Sequence, residues 1–94
     1  GGGARGETWR QIQADVFDMP VYTTVVEEEA CLGAAILAAV GTGVYGSVSE
    51  AGEKMVSVCS DVTEPIRTNV RYYRERQELF CELYESVKGL YCKL

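Results

Sequence analysis

Val21-Tyr22-Thr23-Thr24-Val25-Val26 is the stretch on which the fold turns. Every residue in it is β-branched or aromatic, and Gly and Pro are absent, which predicts a strand over 21–26. Upstream, Trp9, Ile12, Val16 and Phe17 recur at the period of an amphipathic helix between Ala4 and Asp18. Glu7 falls in its first turn, where a negative charge complements the helix dipole. Met19-Pro20 ends it, because the residue before a proline is pushed out of the α region. Downstream, Glu27-Glu28-Glu29 opens a second helix whose body, Ala30 to Val40, is apolar on every side. A helix of that kind is expected to be buried all round. Gly41 and Gly43 end it.

A third helix is expected from Ser47 or Ser49 to about Cys59, with Glu50 at the capping-box offset from Ser47. Asp61 to Pro65 reads as a connector. A long helix without proline follows from about Asn69, carrying Tyr73, Phe80, Tyr84, Val87, Tyr91 and Leu94 mostly at alternating four and three. This pattern predicts a helix packed on a globular body, with a coiled-coil seam as the alternative. The predicted order is thus a glycine segment, a helix, one strand and three helices. A lone strand leaves backbone N–H and C=O groups without partners, so the chain reads as part of something larger.

Composition bounds the function. Ninety-four residues make one domain at most, and a chain of this size buries only about 60–65% of its unfolded surface. With 47% hydrophobic and 24% charged residues the chain is not a disordered one. Nine Lys and Arg against fourteen Asp and Glu give a net charge of −5, which argues against a nucleic-acid partner. Histidine is absent, which removes the commonest general base and metal ligand and argues against an autonomous hydrolase. Cys31, Cys59, Cys81 and Cys92 form no Cys-x-x-Cys pair and have no His to complete a zinc site, so reduced thiols are expected. The apolar run from Ala30 to Val40 is well short of the ~20 residues that span a bilayer. No membrane partner and a cytoplasmic setting are therefore expected.

Gly1-Gly2-Gly3-Ala4 directly precedes the first helix. Glycine lets a backbone approach a phosphate closely, and the first turn of a helix attracts anions. Neither the P-loop nor the dinucleotide pattern is completed, so the glycines alone are a weak signal. A stronger one comes from ordered motifs: Gly1-Gly2-Gly3-Ala4-Arg5, Trp9-Arg10-Gln11-Ile12, Ala14-Asp15-Val16, Pro20-Val21, Glu28-Glu29-Ala30 and Leu32-Gly33-Ala34-Ala35. Together they resemble the C-terminal end of FGGY-family carbohydrate kinases, most closely xylulokinase-like members. Tyr72 or Tyr73, Phe80 and Leu83-Tyr84 also resemble the close of such chains.

The resemblance implies a single partial domain over residues 1–94, mainly α with one short β-strand, from the C-terminal lobe of an actin-like (ribonuclease H-like) ATPase fold. It implies an enzyme that transfers the γ-phosphoryl of ATP, with Mg2+, to the hydroxyl of a sugar or polyol. Gly2, Gly3 and Ala4 would contact the nucleotide through their backbone, and Glu7 would lie near adenine. The partners implied are the remainder of a kinase chain and a sugar bound elsewhere in it. The family's catalytic aspartate is matched by none of Asp15, Asp18 and Asp61, so no catalytic or metal-binding residue is assigned and the 94 residues are expected to be inactive alone.

Other candidates read as scaffold. Asp15 is expected to serve a helix end or a hydrogen bond toward the strand, and Trp9 the core. Glu27 to Glu29 are expected to form a solvated helix start, and Arg67, Arg71, Arg74 and Arg76 to pair with interleaved glutamates on their own helix. From a different class, the rival reading is a small non-enzymatic helical module that docks through its terminal helix. An unpaired 21–26 strand would further favour a homodimer joined along that edge.

Overall fold

The computed structural model describes residues 2–94. Its elements are α1 (Gly2–Arg5), α2 (Glu7–Phe17), β1 (Val21–Thr24), α3 (Glu29–Gly41), α4 (Val48–Met55), β2 (Val58–Thr63) and α5 (Arg67–Tyr91). The fold is mostly helical, as expected, but it holds two strands rather than one. Val58–Thr63, expected to divide between a helix end and a connector, pairs antiparallel with β1. Val21 faces Thr63, Tyr22 faces Val62 and Thr24 faces Val58. Between the last two pairs, three residues of β2 oppose the single Thr23, so the ladder carries a bulge at Cys59–Asp61. Beyond it, Val25 N–H donates to the Ser57 carbonyl at 2.9 Å.

The lone-strand deficit is therefore met on one edge of β1 from within the chain. The outer edges of this two-stranded sheet have no partner strand among the described residues.

Local chemistry explains most element ends. Gly6, extended at φ −75° and ψ 115°, separates α1 from α2. At the other end of α2 the chain turns at Asp18, whose φ of 54° puts it in the left-handed region that aspartate tolerates better than most residues. Asp18 and Met19 both donate their N–H groups to the Ala14 carbonyl. α3 closes in a full Schellman motif: Val44 N–H reaches the Ala39 carbonyl at 2.9 Å and Gly43 N–H reaches Val40 at 3.1 Å, with Gly43 at φ 80°. At α4, Ser47 Oγ accepts from the Glu50 N–H at 3.1 Å, while Glu50 Oε2 accepts from Gly46 N–H at 2.9 Å. This is the expected capping box, shifted by one residue on its return bond. The helix then ends at Met55, short of Cys59, because Val56 takes extended backbone on the way into β2.

Packing departs further from expectation. Only Ala14, Ala51 and Val70 are buried apolar residues among those described. α3 leans on α4, yet no residue of this all-apolar helix is buried. α5 packs its first half against α2, while Phe80, Leu83, Tyr84, Leu90, Tyr91 and Leu94 are each more than half exposed. The terminal helix is thus only half docked.

The accessible surface is 7275 Å², against roughly 5,400 Å² for a compact monomer of this mass. The radius of gyration, 18.1 Å, exceeds the ~12 Å of a compact chain of this length. All four cysteines are free thiols, and no helix among the described residues is long and apolar enough to cross a membrane.

Gly43→Ala tests the α3 stop. An L-residue forced to φ 80° loses about 1–2 kcal/mol, and the loss should appear as a lower urea midpoint with unchanged slope.

Candidate functional site

The glycine segment is a single helical turn, not a loop. Gly2, Gly3 and Ala4 lie in α1, and Gly3 sits against the Trp9 ring, where an added Cβ would meet the indole at 3.4 Å. Trp9 is half exposed and flanks the glycines instead of filling a core. Nothing lies within 4 Å of a Cβ built on Gly2, so that backbone is open to a large approaching group. Three contacts fix the turn. Gly6 N–H donates to the Gly3 carbonyl at 3.2 Å, Arg10 Nη1 donates to the Ala4 carbonyl at 2.8 Å, and Arg5 pairs with Glu27 of the β1–α3 connection.

Two open grooves meet at Arg10. One, of about 340 Å³, is lined by Ala4, Arg5, Arg10, β1 residues 23–24, Val25, Glu27, Glu29 and Cys59. The other, of about 680 Å³, runs between α2 and the sheet past Glu7, Gln11, Asp61 and Glu64. The structure therefore brings Ala4 and Glu7 to neighbouring grooves, while Gly2 and Gly3 line neither. Arg10 and the Thr23–Val25 backbone are additions that sequence reasoning did not single out. For Arg10 the available signal was its place between Trp9 and Gln11 in the motif run.

A second cluster anchors this arrangement. Asp15 is 1% exposed and fully hydrogen-bonded. Its Oδ1 accepts from Ile66 N–H at 2.7 Å and from Gln11 Nε2 at 2.9 Å, and its Oδ2 accepts from Asn69 Nδ2 at 2.8 Å. The role is structural, as expected, but the helix end it serves is the start of α5. Ile66 is the N-cap of α5 and offers no side-chain oxygen, so Asp15 supplies the cap from another helix.

Gln11 Nε2 also donates to the Glu64 carbonyl at 2.9 Å. Asp18 gathers Arg67 and Arg74, the latter at 2.7 Å. These arginines therefore pair between helices rather than along their own, and Arg76 stacks over Tyr72 at 4.9 Å from the ring centre. Burial pushes the Asp15 carboxyl up. The Ile66 N–H, the Asn69 and Gln11 amides and the Arg67 charge outweigh it and hold the group below the ordinary carboxylate range.

With this geometry in view, similarity to known proteins is informative. Residues 1–42 match the model of the FGGY family of carbohydrate kinases, C-terminal domain. Over 90 residues, 96% of the chain, it is 39% identical to an autoinducer-2 kinase of Salmonella paratyphi B and 50% identical to one of Escherichia coli O139:H28. The chain is similar to the C-terminal part of FGGY-family carbohydrate kinases. It spans 17% of the length of those two relatives.

Among solved structures it resembles a ligand-bound xylulose kinase and a gluconate kinase, both from Lactobacillus acidophilus. Each superposes at a TM-score of 0.69 and 25% identity, over 95% of this chain and 18% of the other. The FGGY sugar kinases have the actin-like ATPase fold, so the architecture of these residues is that of part of an actin-like lobe.

Asp15→Ala should cost about 2–4 kcal/mol, since it strands the Ile66 N–H and the Asn69 amide together. The pH dependence has a fixed sign. An unfolded aspartate titrates near ~3.9, and the folded Asp15 titrates lower. Its contribution is therefore fully present above that value and is lost as pH falls through it toward the folded pKa. Urea midpoints measured from neutral to acid pH should fall more steeply for the wild type than for Asp15→Asn.

Proposed function

We propose that this chain supplies part of the nucleotide-binding lobe of an ATP-dependent sugar kinase, with the α1 turn held against the nucleotide. The observation that carries the proposal is similarity to autoinducer-2 kinases along 96% of a chain whose first helical turn is an exposed glycine turn with Arg5 and Arg10 beside it. Phosphoryl transfer depends on positioning and charge stabilisation, and these residues offer both. The backbone of Gly2, Gly3 and Ala4 approaches the nucleotide near its α-phosphate. Arg10 holds the Ala4 carbonyl and so fixes the angle of the turn. Glu7, exposed at the first position of α2, faces the adenosine end.

ATP supplies the phosphoryl group, and Mg2+ would accompany it. Among the described residues no group of His, Cys, Asp or Glu is placed to hold a metal, so no magnesium ligand is assigned to this chain. The proton of the acceptor hydroxyl goes to an aspartate of the family pattern that this sequence does not match. Asp15 and Asp18 are committed to α5. We accordingly propose that the 94 residues alone phosphorylate no sugar.

For the acceptor, the similarities point first to an autoinducer-2-type molecule, with identities of 39–50%, and then to xylulose or gluconate, at 25%. A cytoplasmic setting accords with four unpaired thiols.

The test replaces the aligned segment of an autoinducer-2 kinase with residues 1–94. A folded hybrid should consume ATP with an acceptor present. Gly3→Val, which crowds the turn against Trp9, should raise the KM for ATP about tenfold or more and leave the acceptor KM in place. A well-folded hybrid whose ATP dependence ignores both Gly3→Val and Glu7→Gln would refute the assignment of these residues to the nucleotide.

A further inference from the structure

We propose, resting on the reading in which Glu7 faces adenosine, that Gln11 is a positioning residue: it sets the width of the groove that receives the nucleoside. That groove is the larger of the two, about 680 Å³. Glu7, Arg10 and Gln11 line it from α2, and Asp61 to Glu64 line it from the end of β2. Glu7 and Gln11 are one helical turn apart and so share a face of α2. Among the described residues, Gln11 alone joins these two walls by a hydrogen bond.

The Gln11 amide is used at both of its N–H groups. Nε2 donates to the Glu64 carbonyl at 2.9 Å and to Asp15 Oδ1 at 2.9 Å. A backbone carbonyl and a carboxylate accept only, so the amide has one orientation and cannot be turned over. Asp15 Oδ1 also takes the Ile66 N–H at 2.7 Å, so the chain is held to α2 on either side of Pro65. Pro65 has no N–H to offer, and the two side chains of α2 supply the fixing that a ladder bond would give. Losing the Gln11 donors should free residues 61–64 and leave the start of α5 in place. Asp15 would still hold the Ile66 N–H and the Asn69 amide.

Charge assigns the groove to the nucleoside end and not to the phosphates. Its walls carry the carboxylates of Glu7, Asp61 and Glu64 against the single guanidinium of Arg10. Such a surface repels an anion and suits the hydroxyl and amine donors of an uncharged nucleoside. The smaller groove beside the glycine turn includes Ala4 and Arg5 but not Gln11. A change at Gln11 should therefore be felt at one end of the nucleotide only.

The test uses Gln11→Met, which keeps the length of the side chain and removes both donors. In the full 94-residue chain, amide hydrogen exchange over residues 61–64 should rise about threefold or more, while the Ile66 N–H keeps its protection. Unchanged exchange over residues 61–64 would overturn the proposal, whatever the ligand. In the hybrid kinase, adenosine and inorganic tripolyphosphate serve as competitors of ATP for its two ends. Gln11→Met should weaken inhibition by adenosine about tenfold, leave tripolyphosphate in place and raise the KM for ATP with little change in kcat. Gln11→Glu, without donors and beside the Asp15 charge, should do at least as much.

Equal weakening of both competitors would mark a general loosening and overturn the positioning role. Adenosine inhibition that Glu7→Gln weakens and Gln11→Met does not would overturn this role while the nucleotide reading stands. If neither variant moves adenosine inhibition, the nucleotide reading of Glu7 falls and the role of Gln11 with it.

Discussion

One buried carboxylate holds the two ends of this chain together. Asp15 accepts from a backbone N–H and a side-chain amide that lie 51 and 54 residues further on. It replaces the side-chain cap that Ile66 cannot provide. With only three buried apolar residues described, hydrophobic burial alone has little purchase on the angle between α2 and α5. The carboxylate and the Asp18 pairs with Arg67 and Arg74 set that angle instead. A buried charge with every acceptor used is costly to disturb, which makes it a precise joint.

The rest of the surface is unusually open, and the openness is organised. On one side lie α3, an apolar helix with no buried residue, and the free edges of the sheet. Of these, α3 and β1 belong to the part of the sequence that matches the FGGY C-terminal domain, and β2 lies beyond it. At the far end lies the α5 stripe, beyond residue 42 and so outside that match. The two faces thus differ in chemistry: small residues and backbone edges in one, aromatic and leucine side chains in the other.

What could be read from the sequence was what local chemistry controls. The α2 period, the Pro20 boundary, the glycine stop of α3 and the Ser47–Glu50 cap all concern residues within a few positions of one another, and all form. The family was legible too, because its motifs lie in order along the first third of the chain. β2 was not. Ser60 interrupts the alternation of Val56, Val58 and Val62, and the segment is a strand because β1 pairs with it around a bulge. The burial expected of α3 failed for a related reason: an apolar helix states a need for cover without naming what provides it. In the site, Gly2, Gly3 and Ala4 carried a signal, but their helical form and the Arg10 strap depend on Gly6 and on contacts between elements. The partners of Asp15 lie too far along the chain for spacing to reveal them.

The Arg5–Glu27 pair ties the α1 turn to the chain that leaves β1 for α3, and both side chains are mostly exposed. Such a tether is soft and ion-screened, in contrast to the dry carboxylate joint on the opposite face of α2. The glycine turn therefore hangs between a rigid hinge-post and an adjustable guy-line. Of the contacts that hold the turn, this exposed pair is the one that rising salt weakens, while the α2–α5 frame behind it keeps its shape.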